Sequence, residues 1–571
     1  MFSLKLKAIL GLLVILFALP ETHAQINLGG GLSLSGNTSL QYQYYNSTAF
    51  NNGFSNIRQP THYPQFNANL TLDWKNKLSI PLNIFITPVI QVGAFGVQTP
   101  AEGPKSLNPL QFLMHPANRL YARPSYKNFT FHLGHFIQHY SPLSTGDIKV
   151  FGVGADYQMN HMRVSLQRGI IQPKVPNNAF NFNNGAYRRT LTAINLVTNK
   201  KGKLNNGISF AFVDDHQNSL EAVPMARNPE KSAVLSLFSR YRVSKKTQVE
   251  LEIANTSWAP NVTATDTLRE FGVGSFLIPN TNILGGIGVA FKGYTKQEHF
   301  RLNTRVSWKS KHFRTLSFPF MQSDMIDVEL NPQASFFNND LQTNLVLAYK
   351  GSNVSKTYGS SLSIPIFKFN TSYKFNEQTF INVVYAFNAV NGSPNVNGDQ
   401  VKSSNQVVRI LPTYRFTTGE LKNTASLILG LSQYSNKSTF LATPTKVSTN
   451  NYGVSYRVSY KKHSGGLSLN TFKTGSAGAT LFRNNTITLS ARTKVLNGKM
   501  TPYARITYTG VRNTDMKIGS KQVLQLGSNY KITGRTMASL GVSVLNNLQG
   551  TGQAVPGYRE FLVRTSISHR L

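Results

Sequence analysis

From residue 28 to residue 571 the chain repeats one texture: segments of about ten residues in which apolar and polar side chains alternate, separated by breaks rich in Asn, Gly, Ser and Lys. Val249, Leu251 and Ile253 alternate with Gln248, Glu250 and Glu252. Phe300, Leu302, Thr304, Val306 and Trp308 alternate with Arg301, Asn303, Arg305 and Ser307. The same reading holds for Tyr452 to Tyr460, for Thr486 to Val495 and for the final stretch from Phe561 to Leu571. Successive side chains of a strand point to opposite faces, so each segment predicts a strand with one apolar and one polar face. A soluble β-sandwich would give this local pattern too.

The breaks decide between the two. Short ones (Lys75-Asn76-Lys77, Ser244-Lys245-Lys246, Lys309-Ser310-Lys311, Asn376-Glu377, Asn497-Gly498) alternate with long ones at 46–64, 89–117, 173–185, 215–231, 390–403, 436–450 and 547–557. Short turns at one end and long loops at the other are the mark of a transmembrane antiparallel β-barrel of the outer membrane. Counting segments with this parity predicts an all-β fold of about 26–28 strands, with weak segments near 267–293 and 325–336. The last segment resembles the C-terminal strand signal of outer-membrane barrels, although it closes on Leu571 where an aromatic is usual.

The first residues add a compartment. Lys5 and Lys7 precede an apolar run from Ala8 to Leu19, and Thr22-His23-Ala24 offers a small residue before Gln25. This is the pattern of a secretory signal peptide over 1–24, leaving 25–571 as a single transmembrane barrel domain with long external loops. The apolar run is too short for a spanning helix, which needs about 20 residues. The chain contains no cysteine, which removes disulfides, thiolate metal sites and a lipoprotein anchor.

Composition agrees with a wall wetted by lipid on one side and water on the other. Aromatics are 11 % and charged residues only 14 %, where about 25 % is usual in soluble domains. The formal net charge is +36. In an exported protein the anions on offer are lipopolysaccharide phosphates, acidic sugars and small solutes, and nucleic acid is not expected. Outer-membrane lipid, lipopolysaccharide and the barrel-assembly machinery are the expected partners.

One stretch carries a family resemblance. His115-Pro116-Ala117-Asn118-Arg119-Leu120-Tyr121-Ala122-Arg123-Pro124-Ser125-Tyr126-Lys127 is followed by His132-Leu133-Gly134-His135, Tyr140-Ser141-Pro142-Leu143, Gly146 and Gly152-Val153-Gly154. This order resembles a recurrent segment of large outer-membrane β-barrel proteins of Bacteroidota. Asn128 stands where that pattern has an aromatic after the lysine. The resemblance implies fold and location, and assigns no functional residues.

Local catalytic signatures are missing: there is no G-x-S-x-G, H-E-x-x-H or G-x-x-x-x-G-K-[ST]. No enzyme activity and no cofactor are expected. His132, His135 and His139 form the densest histidine group. On a strand the first two point apart, and the last two lie about 13 Å apart, too far for one metal ion. Glu250 with Glu252, and Asp327 with Glu329, share strand faces and are expected to be ion-paired to neighbouring Arg or Lys.

The strongest signal is cationic. On the polar face, where phase is clear, lie Arg163, Arg240, Arg242, Arg301, Arg305, Arg409, Arg415, Arg457, Arg492 and Lys494, together with Arg564 and Arg570, with few acids. Guanidinium groups stay charged and match carboxylate or phosphate bidentately. These residues are expected either to line a pore, giving a porin-like channel with a cationic lumen for anionic or polar solutes, or to bridge strands and rigidify the wall with counter-ions from solvent. The alternative is a structural subunit of an outer-membrane export, assembly or surface-attachment complex, with other outer-membrane or periplasmic proteins as partners. Lysine-rich turns at Lys200-Lys201-Gly202-Lys203, Lys245-Lys246 and Lys461-Lys462 are placed at periplasmic ends. Loop 89–117 is the candidate to enter the lumen or cover its mouth.

Overall fold

The computed structural model describes the chain from Ile26 onward, apart from 50–60, 76, 88–116, 176–184, 199–202, 221–227, most of 264–281, 319–320, 358, 396, 442, 477–478, 514–515 and 550–556. The signal-peptide expectation over 1–24 and nearly all of loop 89–117 lie outside the described residues.

Among the described residues all strands belong to one antiparallel sheet. Leu32–Ala49 pairs with His62–Trp74 on one edge and with Tyr558–Arg570 on the other, so the sheet closes on itself. Arg119–Ala122 and Ser125–Tyr126 form one interrupted strand, both parts pairing with Leu78–Ile86 and with Phe129–Ile137. The short arm Ile26–Gly29 pairs only with the start of Leu32–Ala49. The closed ring therefore has 26 strands, within the range that the break parity predicts. Closure pairs every strand edge, which hydrocarbon demands of any spanning backbone.

The interruption at Arg123-Pro124 has a local cause. Proline has no N–H to give to the ladder, and the chain pairs around it: the Arg123 N–H donates to the Pro81 carbonyl and the Phe131 N–H to the Pro124 carbonyl. Beyond it Tyr126 pairs with Phe129 across a tight turn in which Lys127 takes a left-handed φ of 51°.

Gly36 marks the seam of the barrel. Before it, Leu34 pairs with Ile26; after it, Asn37 pairs with Arg570, and the Leu571 N–H donates to the Gly36 carbonyl. Its φ is +140°, and an added Cβ would meet the Asn69 carbonyl oxygen at 2.1 Å. No side chain fits there.

Register assigns the faces. Directly opposed residues share a side of the sheet, and exposed or half-buried apolar residues succeed each other from strand to strand: Leu166, Ile194, Phe210 and Leu235 form one such row. Leu237, Ile253, Val289, Trp308 and Ile326 form another, and Leu489, Ile506, Leu524 and Val544 a third. This is the outer, lipid-compatible face. From residue 362 onward strands of 13–17 residues are common. They are longer than the roughly 9–11 residues a tilted strand needs to cross hydrocarbon.

One of the expected breaks differs. Lys309 ends the strand Phe300–Lys309, and the chain then enters the long segment 310–324 instead of a short turn. Of the two weak segments, Met325–Phe336 is a full strand, and 267–293 holds one from Leu284 onward, with most of the residues before it outside those described.

Candidate functional site

The face opposite the apolar rows looks into the barrel, and in the first half of the chain it is not bare. Two of the connections at the long-loop end turn inward and lie against it as a second layer. Of segment 138–148, Tyr140, Ser141, Leu143, Ser144 and Thr145 are buried; of segment 310–324, Phe313, Thr315, Leu316 and Ser317 are buried. Tyr140 and Leu316 pack with Phe136, Val150, Leu191, Ala193, Ala211 and Val213, while Leu143 and Phe313 pack with Val234, Ala254 and Ala290.

Small residues on the inner face make room for this layer. A Cβ at Gly286 would lie 2.3 Å from the Phe313 backbone nitrogen, and one at Gly288 would lie 2.8 Å from the Phe313 ring. Serines around them tie the layer down. The Ser144 and Ser209 hydroxyls are 2.9 Å apart, the Ser141 hydroxyl donates to Ser236 at 3.3 Å, and the Leu316 N–H donates to the Ser232 hydroxyl at 3.0 Å. The two segments also hold each other, since the Thr315 and Ser317 hydroxyls both donate to the Ser144 carbonyl.

Glu252 is the buried anchor of this contact. One carboxylate oxygen accepts the Ser236 hydroxyl at 2.6 Å and the Leu143 N–H at 3.1 Å. The other oxygen has no hydrogen-bond partner among the described residues. The expectation that Glu252 is ion-paired fails, because polar groups of the loop and the wall satisfy it instead. For Glu250 and Asp327 it holds: Glu250 meets Arg240 at 2.7 Å and Lys292 at 3.7 Å, and Asp327 meets Arg305 at 2.7 Å. Glu329 lies directly across from Arg305.

A second polar group sits where segment 138–148 leaves the wall. The His132 ring bonds Asp156 at 2.9 Å through Nε2 and the Tyr121 hydroxyl at 2.9 Å through Nδ1. Gln138 donates to Asp156, and the Tyr140 hydroxyl donates to Gln138 at 2.8 Å. Burial, with Asp156 nearby, pushes the Tyr140 hydroxyl well above the usual phenol range. His135 points to the opposite face and packs on Phe151, and His139 bonds Asp147 at 3.0 Å. The three histidines do not converge, and among the described residues no group of three potential ligands could hold a metal ion.

The cations that the sequence singles out fall into two sets. Arg240 and Arg305 are ion-paired; Arg301 lies over the Tyr294 ring, and Arg242 faces Gln248. Arg163 lies opposite Gln158 and Val197. Arg409, Arg415, Arg457 and Arg492 face different neighbours: Gly430, the Phe380 ring, Gly466 and Tyr503. Lys494 falls one residue past its strand, in the turn before Leu496–Gly498. Register adds Arg505 and Lys521 to this inner face, through the alternation of Tyr503, Arg505, Thr507 and Thr509 with Ala504, Ile506 and Tyr508. Arg564 completes the set, its Nε donating to Gln43 at 3.0 Å.

Acids are unevenly divided along the chain. Residues 341–571 contain 27 Lys and Arg but only 5 Asp and Glu, whereas the other 18 acids precede residue 341. Among the described residues no ion pair engages Arg409, Arg415, Arg457, Arg492, Arg505, Lys521 or Arg564, and in the first set none engages Arg163, Arg242 or Arg301.

No family model matches the chain, and no curated protein does. Among solved structures it is similar to the P pilus usher (PapC) translocation pore, at 8 % identity and a TM-score of 0.39, over 95 % of this chain and 100 % of that one. It is also similar to a mutant of the ferric enterobactin receptor (PfeA) of Pseudomonas aeruginosa, at 10 % and 0.38, over 94 % and 80 %. OccAB2 of Acinetobacter baumannii is similar at 10 % and 0.30, over 65 % and 97 %. At such identities and scores the likeness carries nothing about solute or partner.

Proposed function

We propose that this chain is an outer-membrane channel of a Gram-negative bacterium that passes small anionic solutes. Residues 1–24 would direct its export, the barrel-assembly machinery would insert it, and lipid and lipopolysaccharide would surround the apolar rows. The loop layer occupies the inner face of the first half, where acids pair with Arg240 and Arg305. Solute would pass beside that layer, along the inner face of 341–571.

The observation that carries this reading is the uncompensated charge there. Arg457 and Arg505 lie in one cross-strand row, with only Gly466 and Ser490 between them. Neighbouring strands are about 4.8 Å apart, so the two guanidiniums stand roughly 14 Å apart on the same wall. A wet passage lined by fixed cations concentrates anions and repels cations within about 10 Å at 0.1 M salt. Catalysis plays no part in this reading.

The test is conductance of the full barrel in planar bilayers under a tenfold KCl gradient. The reversal potential should show anion preference that weakens as salt rises. A silent barrel, or one that prefers potassium, would overturn the proposal.

A further inference from the structure

On the inner face of the second half, one aromatic residue is laid flat on the wall. Tyr503 lies directly opposite Gly527, which lies opposite Gly541. A Cβ at Gly527 would come within 2.5 Å of the Tyr503 hydroxyl oxygen and 2.6 Å of the ring carbon bearing it, and one at Gly541 within 3.7 Å of that oxygen. The ring therefore reaches across two strands over a floor of two glycines. Neither glycine has a positive φ. Backbone conformation does not call for glycine at 527 or 541, but the ring at 527 does, since any side chain there would lift it.

What surrounds the ring is cationic. Arg492 precedes Tyr503 in the same cross-strand row and Arg564 comes after Gly541, so the row runs Arg492, Tyr503, Gly527, Gly541, Arg564 over about 19 Å. Arg505 stands two residues along the strand from Tyr503, on the same face. Tyr503 keeps 40 % of its surface exposed. One ring face covers glycine and the other is presented to the barrel interior, with Arg492, Arg505 and Arg564 at neighbouring inner-face positions, Arg564 also bonded to Gln43.

We infer that Tyr503, Arg492, Arg505 and Arg564 form a binding site for a small ring compound that carries a carboxylate. The flat face of the ligand, aromatic or the C–H face of a pyranose, would stack on Tyr503, and its carboxylate would be taken bidentately by a flanking arginine. The chemistry separates such a ligand from simple anions. Acetate offers the arginines the same charge but leaves the phenol face uncovered. The inference rests on the reading that this wall faces water, and it adds the class of solute that would be held there.

Saturation-transfer NMR on the full barrel in detergent micelles, against protein-free micelles, tests it with benzoate, glucuronate and acetate as probes. Benzoate or glucuronate should bind, and acetate at the same concentration should not displace them. Tyr503→Leu, Gly527→Val and Arg492→Gln should each weaken binding about tenfold while the barrel keeps its heat-modifiable migration. Arg492 is exposed, so Arg492→Gln carries the test if either other variant fails to assemble. Acetate competing as well as glucuronate, or unchanged binding in Arg492→Gln, would overturn the site. Binding is read without current, so the two proposals fail separately. A barrel that conducts but does not bind refutes the site, and one that binds but stays silent refutes the channel.

Discussion

The Leu143 N–H donates to the Glu252 carboxylate at 3.1 Å, joining residues 109 positions apart and fixing an inward-turned loop to the wall of the barrel. Leu143 and Glu252 are both almost fully buried, so this hydrogen bond is shielded from water. Removing the carboxylate strands the Leu143 N–H and the Ser236 hydroxyl, at a cost of about 1–3 kcal/mol for each group left unsatisfied. Glu252→Ala should therefore loosen segment 138–148 and leave the ring of strands intact. The cysteine-free chain makes this easy to read. Leu143→Cys alone should resist a water-soluble thiol reagent, and the same cysteine beside Glu252→Ala should be labelled at least about tenfold faster. Equal labelling in the two proteins would show that the carboxylate does not hold the loop.

Gly286 makes the second half of that contact possible. With Phe313 backbone 2.3 Å from any added Cβ, Gly286→Ala should cost about 1–3 kcal/mol or expel segment 310–318 from the wall. Gly465, whose added Cβ would have no neighbour nearer than 3.7 Å, is the control, and Gly465→Ala should be neutral. Limited trypsin digestion at Arg314, with the temperature of heat-modified migration, separates the two outcomes.

Protonation should act on the same segment from its outer side. The His312 ring lies 2.6 Å from the Glu270 carboxylate, which also accepts the Gly285 N–H. Partial burial opposes ionisation of Glu270, but the bonds from His312 and Gly285 outweigh it and hold the carboxyl below its ordinary value. A depressed folded value means that the contribution is complete above the unfolded value of about 4.3 and is lost as pH falls through the folded one. Hydrogen exchange over 310–318, corrected for its intrinsic pH dependence, should rise on acidification below about pH 4. Glu270→Gln should abolish that dependence; an unchanged pH profile in the variant would dismiss the pair.

The faces assigned by register make a paired prediction. Ile506 lies in an outer apolar row and Thr507 on the inner face. Arginine at the lipid face near mid-bilayer costs about 2–4 kcal/mol, and arginine facing water costs little. Ile506→Arg should lower the midpoint of urea unfolding in lipid vesicles accordingly, and Thr507→Arg should not.

These contrasts show what the sequence could and could not reveal. Leu251 and Glu252 are separable at once, because a two-sided strand writes its faces into every second residue. The inner layer is not, since period-2 patterning says which way Glu252 points and nothing about what covers it. Segment 312–318 alternates much as a strand does, and the polar Lys309-Ser310-Lys311 ahead of it resembles a short turn. Local polarity marks where a strand stops, not how long the chain stays out of the sheet. A usable signal did exist. Ser232, Val234 and Ser236, Ala254, and Gly286, Gly288 and Ala290 place unusually small residues on one inner face, as a wall must where a second layer lies against it. The separation of acids from cations was also in plain view, but its effect emerges only when pairing shows Glu250 beside Arg240 and only Thr424 and Gly466 beside Arg457.

That difference between arginines gives the sharpest test of the channel reading. Arg240 and Arg305 each face a carboxylate at 2.7 Å, so their charges are already balanced, while Arg457 and Arg505 have no such partner among the described residues. Selectivity is set by net fixed charge along the path, not by the number of cations. Arg457→Gln with Arg505→Gln should cut the ratio of anion to cation permeability by several-fold at low salt, and the effect should fade near 1 M, where the screening length is about 3 Å. Arg240→Gln with Arg305→Gln removes the same formal charge from the loop-covered half and should move the reversal potential little, though it leaves Glu250 and Asp327 with less compensation. Equal shifts from the two double variants would mean that the passage does not favour the second half of the wall. A larger shift from the Arg240 and Arg305 pair would place the path on the side that the loops cover.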